Sequence, residues 1–557
     1  MMVLSTCFHV WACVGLAGAL DEPGSPPTCR NPSSEWVSTR GVLAFSYEDI
    51  AFDGAGNVLL VTVLTGTMDF DPGPGVDLRS TNGSRDVAIT KLGADGSYAW
   101  TRTFGGVYYD EGRGIAGDSE GDVLVAGDFE GTVDFDPTDG VDERSAVDDP
   151  STAGRDPNSF VTKLHNDGSY GWTLTFGGGN GRSETAGLAI DPLGNLLVTG
   201  YFAGQVDFDP SEQVDLHASI PVSFDIFVTK FATDGTYVWT RTFGGSGADR
   251  GSGVAVALDG SVLVTGTFRG TADFDPSDGV DLHTQRGQIE DIFVTKLHAN
   301  GSYDWTRTWP VLFNDSEGQV AVDPLGNAII TGSFKGSIDF DPTEGTDVHT
   351  STGPYSNAFV TKVYADGSYA WTDSFLSTIQ SIGLDSAADA DGNVLATGYF
   401  KGTTDFDPTD GVDERQSGND IFVTMLTSDG LPQWTETLGG EAAYGYGFGI
   451  AVDAAGAIFV TGTFFGTVDF DPGCGVDERT SIPNYTEPFL TKWTCTEPRA
   501  DFDEDGDVDL RDVSYFLICF TGEPPTTCNP GCYHFDFDGD DDVDLDDYLL
   551  LGSLSGP

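Results

Sequence analysis

The chain has 557 residues, with 88 acidic against 26 basic side chains, which gives a formal net charge of -62 at pH 7. This excess of negative charge excludes nucleic acid as a natural partner and disfavours anionic membrane surfaces, because both would repel the protein. It predicts a protein that is exposed to salt water or bound to divalent cations, while 39% apolar residues provide ample material for a core.

The first element along the chain is an apolar stretch that ends at Ala17, Gly18 and Ala19. It resembles a signal peptide cleaved after Ala19, so residues 1–19 are predicted to be removed and residues 20–33 to form a linker. No later segment reaches the run of about 18 apolar residues that a membrane helix needs. The sequence therefore predicts a secreted or cell-surface protein without a transmembrane segment.

A repeat begins next, marked by the tetrapeptide DFDP. Seven copies lie 64 to 73 residues apart, beginning at Asp69, Asp134, Asp207, Asp273, Asp339, Asp405 and Asp469. A nearly fixed period of this length is the signature of a repeat architecture, in which each repeat is one structural unit.

Each repeat contains four short apolar runs, A to D, of which NLLVTGYF at 195–202 is an example of run B. Short turns join A to B (DPLGN, 191–195) and C to D (TDGT, 233–236), and they carry the Gly, Asn and Asp residues that hairpins favour. The runs are rich in Val, Ile, Phe, Thr and Trp and too short for helices. Four antiparallel strands repeated seven times predict an all-β fold, a seven-bladed β-propeller over residues 34–497.

The two ends of the repeat region complement each other. The last repeat stops after run C, whereas Trp36 precedes Trp100 by 64 residues, which is one period. The N-terminal strand is therefore predicted to complete the last blade and close the ring, which leaves no long unpaired edge. Cys29 and Cys495 flank these two strands, so a disulfide between them is expected in an exported protein.

The DFDP phrase lies between runs B and C, so all seven copies are expected on one face of the disc. Three carboxylates recur in each copy, as in Asp134, Asp136 and Asp142. The equivalent residues of the fourth copy are Asp273, Asp275 and Asp281. They are interpreted mainly as turn-forming residues around a core-filling Phe, with a calcium ion in each blade as the alternative.

A base follows the third Asp of every copy two residues later. These bases are Arg79, Arg144, His217, His283, His349, Arg415 and Arg479. A repeated internal ion pair explains the pattern, and a metal site built by the three histidines is the less favoured alternative.

After residue 497 the period ends and two acidic loops follow, DFDEDGDVDLRD at 501–512 and DFDGDDDVDLDD at 536–547. Their acidic residues occupy positions 1, 3, 5, 7, 9 and 12 of an EF-hand calcium loop. The predicted ligands are Asp501, Asp503, Asp505, Asp507, Asp509 and Asp512 in the first loop, and Asp536, Asp538, Asp540, Asp542, Asp544 and Asp547 in the second. About two calcium ions are expected here, the second bound more weakly because Asp541 replaces the turn glycine.

Cys519, Cys528 and Cys532 lie beside His534 in the same tail. A disulfide is favoured over a zinc site because the chain is predicted to be exported.

The two loops, each leading into an apolar stretch, resemble the dockerin type I module over residues 499–557. The resemblance implies a small α-helical module that folds with calcium and docks to a cohesin-like or cell-surface protein. Leu510, Arg511, Leu545 and Asp546 do not reproduce an assignable recognition pair, which leaves cohesin binding open.

The repeat phrases GNLLVTG, DIFVTKL and DGSYAWTRTFGG resemble the seven-bladed β-propeller repeat family of exported bacterial proteins. That resemblance implies a fold and little about activity. No HExxH motif is present, and no single repeat carries an odd His, Glu or Tyr cluster on the face of the DFDP phrases, so no catalytic residue is assigned.

A calcium-binding attachment protein, which binds a carbohydrate or protein on its acidic face, is therefore favoured. The alternatives are a carbohydrate-active enzyme, either a glycoside hydrolase or a lyase, and an architectural matrix protein cross-linked by divalent cations.

Overall fold

The structure, a computed structural model, describes residues 32–39 and 47–495, except 148–155, 179, 221–222, 288, 312–317, 410, 441–442, 473–475 and 484. Regular structure in this part of the chain is entirely β-strand. The predicted signal peptide and the C-terminal module lie outside the described residues.

The strands form antiparallel four-stranded meanders, numbered here in chain order, and the strand bounds are as follows. Strand β1 spans Pro32–Thr39. Meander 1 and its hairpin comprise β2 (Tyr47–Phe52), β3 (Val58–Leu64), β4 (Thr67–Asp69), β5 (Leu78–Ser80), β6 (Asp86–Leu92) and β7 (Tyr98–Phe104). Meander 2 comprises β8 (Asp110–Gly117), β9 (Val123–Phe129), β10 (Thr132–Asp134), β11 (Glu143–Ser145), β12 (Asn158–Leu164) and β13 (Tyr170–Phe176). Meander 3 comprises β14 (Asn180–Ile190), β15 (Leu196–Asp207), β16 (Leu216–Ala218), β17 (Asp225–Phe231) and β18 (Tyr237–Gly245).

The remaining strands repeat this plan. Meander 4 comprises β19 (Arg250–Val256), β20 (Val262–Phe268), β21 (Thr271–Asp273), β22 (Leu282–Thr284), β23 (Glu290–Leu297) and β24 (Tyr303–Val311). Meander 5 comprises β25 (Gln319–Val322), β26 (Ala328–Phe334), β27 (Ser337–Asp339), β28 (Val348–Thr350), β29 (Asn357–Val363) and β30 (Tyr369–Ser377). Meander 6 comprises β31 (Gln380–Ala388), β32 (Val394–Asp405), β33 (Glu414–Leu426) and β34 (Pro432–Leu438). Meander 7 comprises β35 (Tyr444–Val452), β36 (Ile458–Phe465), β37 (Thr467–Asp469), β38 (Glu478–Thr480) and β39 (Glu487–Cys495).

Strand β1 supplies the fourth strand of meander 7. It pairs antiparallel with β39, in a register that matches Pro32 with Cys495 and Thr39 with Phe489. This is the pairing that the tryptophan spacing predicts, and it gives meander 7 the same four-stranded order as the others.

The core lies between neighbouring meanders because the central strands are apolar on both faces. Every residue of β3, β6, β9 and β12 is buried, for example. The cluster around Phe135 joins side chains of meanders 1 and 2, and the cluster around Phe208 joins meanders 2 and 3. A further cluster joins meander 7 to meander 1 through Phe459 and Leu60, so the packing continues around a propeller-like ring.

The first strand of each meander lies innermost and contacts the first strands of its two neighbours, including β2 against β35. Tight turns with left-handed glycines, such as Gly194 (φ 83°) and Gly235 (φ 84°), join the first strand to the second and the third to the fourth. We call the side of the ring that carries them the turn face. The side that carries the DFDP hairpins, between second and third strands, is the hairpin face.

Candidate functional site

The DFDP hairpins are folded by their own carboxylates. Asp134 Oδ1 accepts hydrogen bonds from the main-chain nitrogens of Asp136 (3.2 Å) and Asp142 (2.8 Å), and Asp136 Oδ1 accepts one from Thr138 (2.9 Å). Asp273, Asp275 and Asp281 repeat the arrangement, with 2.8 Å from Asp281 N to Asp273 Oδ1. These contacts agree with the predicted turn role, and a cation in these loops stays a prediction.

The phenylalanine of each DFDP is a core residue. Phe70, Phe135, Phe208, Phe274, Phe340, Phe406 and Phe470 all have 0% exposure. Phe135 packs at ring-centroid distances of 5.2 Å from Phe104 and 5.1 Å from Phe160. The side chain therefore fastens the hairpin to the meander that carries it and to the one before it.

The predicted contact between the third Asp and the base two residues later forms in all seven copies, as an Arg–Asp ion pair in four and as a His–Asp contact in three. Its members are Asp77–Arg79, Asp142–Arg144, Asp215–His217, Asp281–His283, Asp347–His349, Asp413–Arg415 and Asp477–Arg479. In five copies a tyrosine hydroxyl from the fourth strand donates to the same Asp, as Tyr170 does to Asp142. The tyrosine contact was not predicted, because it joins elements about 22 residues apart.

The predicted EF-hand ligands from Asp501 to Asp547 lie outside the described residues. So do Cys29, Cys519, Cys528 and Cys532, and no side-chain contact is described for Cys495. In the described ranges, no group of three or more His, Cys, Asp or Glu side chains is placed to hold a metal ion.

The turn face is held by buried ion pairs that recur around the ring. Lys230 Nζ lies 2.7 Å from Asp191 Oδ2 and donates to the carbonyl of Ala299 in the next meander (3.3 Å). Burial alone would raise the pKa of Asp191, but hydrogen bonds from Lys230 and Asn195 outweigh it and lower the pKa. Lys91, Lys163 and Lys362 form equivalent pairs, so this face repeats as a scaffold.

The hairpin face carries a charged cavity of about 290 Å³ that no repeat builds alone. Its lining residues come from meanders 1, 2 and 3: Arg85, Tyr109, Glu111, Arg113, Asp128, Glu130, Pro157 and Glu184. Glu111 forms ion pairs with both Arg85 and Arg113, and Arg113 Nε lies 3.9 Å from Asp128 Oδ2. The cavity thus presents alternating carboxylates and guanidinium groups.

Two titratable side chains in this region, Asp128 and Tyr201, have raised pKa values. Asp128 is 8% exposed, and its Oδ1 accepts a 2.6 Å hydrogen bond from Thr185 N in meander 3. Burial raises the pKa of Asp128 well above its usual range, and the Thr185 hydrogen bond and the Arg113 charge offset only part of that. Next to it, Tyr201 donates to Glu184, and burial followed by this hydrogen bond raises the pKa of Tyr201.

Meanders 6 and 7 carry aromatic side chains on the same face. Tyr399 and Tyr446 meet edge to face at 4.7 Å, Tyr444 stacks on Phe465 at 4.9 Å, and Tyr446 stacks on Phe448 at 6.0 Å. Phe448 is 37% exposed and the other four rings are partly exposed. We call these five residues the aromatic cluster.

The charged cavity and the aromatic cluster occupy equivalent places in the repeat. Glu111 pairs with Asp128 just before a bulge that contains Arg113, and Tyr446 pairs with Thr463 just before a bulge that contains Phe448. We call the residue before the bulge, its partner on the second strand and the bulge residue the inner positions.

A comparison of whole repeats does not reveal that the inner positions are charged in some meanders and aromatic in others. Each meander has only three such residues, which are not adjacent in sequence, and the cavity is lined by residues of several meanders. The sequence, considered one repeat at a time, therefore did not predict this cavity. A cluster exists, but three meanders share it. Aligning the seven inner strands and searching for the non-repeating columns would have found it.

Comparison with known proteins supports a repeat β-propeller and goes no further. No protein-family model matches the chain. It is 25% identical over 458 residues to the uncharacterized WD repeat-containing protein L264 of Acanthamoeba polyphaga mimivirus, covering 70% of this chain and 32% of that protein. It is also 25% identical over 422 residues to the regulatory protein FlaEY of Caulobacter vibrioides, covering 70% of this chain and 40% of that protein. The chain therefore spans well under half the length of these relatives.

Solved structures give weaker likenesses. A protein of unknown function from Bacteroides caccae is 10% identical with a TM-score of 0.29, covering 67% of this chain and 93% of that one. The polysaccharide lyase Uly1 is 9% identical with a TM-score of 0.35, covering 81% of this chain and 90% of that one. Scores this low carry no argument about function. In the part of the chain that the structure describes, no helix is long and apolar enough to cross a membrane.

Proposed function

We propose that this protein is a secreted, closed seven-bladed β-propeller that binds a saccharide on its hairpin face, and that a dockerin-like calcium module at residues 498–557 tethers it to a partner. The observation that carries the binding proposal is the departure of the inner positions from the repeat. In meanders 2 and 3 they contribute to a charged cavity, and in meanders 6 and 7 they contribute to an aromatic cluster.

The chemistry of the site favours a ligand rich in hydroxyl groups. Carboxylates accept hydrogen bonds from hydroxyls and guanidinium groups donate to them, so alternating Glu111, Arg113 and Asp128 suit a polyol. Partly exposed aromatic rings provide flat apolar surfaces for the C–H faces of sugar rings. A strongly anionic polymer is disfavoured because the cavity has more acidic than basic side chains.

Titration calorimetry with neutral and uronic-acid oligosaccharides tests this proposal on the full chain. A neutral oligosaccharide should bind, and Glu184→Gln and Tyr446→Ala should each weaken it by about tenfold or more, which corresponds to about 1.4 kcal/mol. Asp139→Asn, an exposed hairpin-tip change, serves as the matched control. Absence of binding across the panel, or unchanged affinity in both variants, would refute the proposal.

Asp128 favours a second candidate function, cleavage of the bound saccharide. A buried carboxylic acid whose pKa is raised well above its usual range is suited to act as a general acid. The expected result is slow release of shorter oligosaccharides by the parent protein, lost in Asp128→Asn with affinity retained. If both proteins bind without product release, the site is a binding site only.

The calcium module rests on the EF-hand spacing of the twelve aspartates between Asp501 and Asp547. Replacing Asp501 and Asp503 by Ala in the full chain should remove one calcium ion from the measured stoichiometry, and replacing Asp536 and Asp538 should remove another. An unchanged stoichiometry in both variants would argue against the module.

A further inference from the structure

A pair of buried carboxylates lies at the junction of meanders 3 and 4, away from the predicted EF-hand loops. Asp225 begins β17 and Asp249 immediately precedes β19. Both side chains lie next to Cα of Gly244. A methyl group placed on Gly244 would lie 2.9 Å from Asp225 Oδ1 and 3.0 Å from Asp249 Oδ2. The two oxygens therefore face one small space between neighbouring meanders.

This pair has no ion-pair partner among the described contacts. Burial raises the pKa of Asp249, and the charge of Arg250 offsets only part of that rise. Asp225 is 9% exposed, and its Oδ1 is buried without a hydrogen-bond partner. Asp249 is fully buried and accepts hydrogen bonds from Arg269 N (2.9 Å) and Gly245 N (2.6 Å). The guanidinium of Arg250 packs on the ring of Phe224 at 5.1 Å, and among the described contacts no ion pair reaches either Asp. Two facing buried carboxylates repel each other unless a positive charge joins them.

Further oxygens surround the pair. The Ser223 hydroxyl lies 3.3 Å from the carbonyl oxygens of Phe224 and Gly245 and also contacts that of Gly247. The Phe224 carbonyl also accepts a hydrogen bond from Asp249 N (2.9 Å), so these oxygens lie next to the pair. Oxygen-rich surroundings of this kind are what hard cations prefer.

The junction of meanders 1 and 2 repeats the arrangement with Asp86 and Asp110. Asp86 is 1% exposed with an unpartnered Oδ1, and Asp110 is fully buried and accepts a 2.6 Å hydrogen bond from Gly106 N. A methyl group on Gly105 would lie 2.5 Å from Asp86 Oδ1. The equivalent pair of buried carboxylates thus occurs at a second junction, where the Asp86 charge contributes to the raised pKa of Asp110.

Two other junctions provide an internal control because neutral residues occupy the same places. Asn158 and Ser183 lie between meanders 2 and 3, and Asn357 and Ser381 between meanders 5 and 6. Asn357 Nδ2 donates to Ser381 Oγ at 3.4 Å, so this neutral pair bonds directly across the junction. Two carboxylates lack any donor for such a bond.

We propose that Asp225 with Asp249, and Asp86 with Asp110, each bind one hard divalent cation, calcium, which joins the two meanders at each junction. Water completes the coordination, since each protein site offers fewer than the six to eight oxygens that calcium takes. Burial and then the Asp249 charge raise the pKa of Asp225 to about 7, so protons compete with calcium below that pH.

The test uses the full chain at pH 8, where competition by protons is weak. Calcium stoichiometry is measured by equilibrium dialysis for the parent and for the double variant Asp225→Asn with Asp249→Ser, which copies the neutral junctions. The Asp86→Asn with Asp110→Ser variant tests the second site. Asp139→Asn with Asp278→Asn is the matched control, because it removes two exposed acidic charges.

Each junction variant should bind one calcium ion fewer than the parent and lose part of the rise in Tm that calcium produces, while the control keeps both. The EF-hand loops contribute equally to all four proteins, so they cancel from the difference. Unchanged stoichiometry in both junction variants, or a calcium-induced rise in Tm as large in them as in the parent, would overturn the proposal.

Discussion

The turn face and the hairpin face are built by the same repeats, but they differ in how many of their side chains recur from one meander to the next. On the turn face, buried lysines recur at equivalent places, and Lys91, Lys230 and Lys362 also donate to carbonyl groups of the next meander. On the hairpin face the DFDP hairpins recur, but the inner positions change from acidic and basic residues to aromatic ones. In a repeat protein, the residues that recur in every repeat stabilise the fold. The residues that differ between repeats are the better guide to function.

The strongest test of the recurring part is a DFDP phenylalanine. Phe274→Ala should lower the free energy of unfolding by about 3–5 kcal/mol, because the ring is fully buried and lies 4.9 Å from Phe293. Val280→Ala, on the same hairpin but 70% exposed, should change it by less than about 0.5 kcal/mol. Denaturant unfolding measures both, and equal effects would mean that the hairpins are not anchored by their phenylalanines.

The buried lysines give the next largest effect. Lys230→Ala should cost about 3 kcal/mol because it leaves Asp191 buried without its cation. Adding Asp191→Asn to Lys230→Met should recover most of that loss, since Met425 already occupies this column in meander 6. A double-mutant cycle measures the coupling, and a coupling energy below about 0.5 kcal/mol would contradict a structural role for the pair.

The junction carboxylates predict a pH dependence of intermediate size. Burial, followed by the Asp249 charge, raises the pKa of Asp225 to about 7, and burial raises that of Asp249 to about 6. The folded state therefore keeps protons that the unfolded chain releases, and this contribution to stability is lost as pH rises from about 4 to about 7. In chelator, Asp225→Asn should be about 2–4 kcal/mol more stable than the parent at pH 8 and nearly equal to it at pH 4. Parallel unfolding curves at the two pH values check this, and a constant difference would refute it.

The smallest effect on stability is expected at an inner position. Tyr446→Ser should change the free energy of unfolding by less than about 1 kcal/mol, because its ring is partly exposed and lies outside the buried core. The same variant should weaken saccharide binding by about tenfold. A large loss of stability, measured by denaturant unfolding, would instead assign the aromatic cluster to the scaffold.

The sequence predicts the recurring part well because each of its features is local or strictly periodic. The spacing from Trp36 to Trp100 predicts the pairing of β1 with β39, and the position of Asp142 two residues before Arg144 predicts their ion pair. The charged cavity was missed because Glu111, Asp128 and Glu184 meet only through strand pairing and the packing of neighbouring meanders. The link from Lys230 to Ala299 was missed for the same reason, since its partners are 69 residues apart.

The pairing of Pro32 with Cys495 also has a consequence for the order in which the protein can fold. These residues are roughly 460 positions apart, so closing the loop between them costs about 5 kcal/mol of chain entropy. During synthesis, β1 is made before the other strands and stays unpaired until β39 has been made. Its unpaired edge stays exposed during that time. A chain that stops before Glu487 lacks that partner strand. Strand β1 can therefore pair only after the whole repeat array has been synthesised.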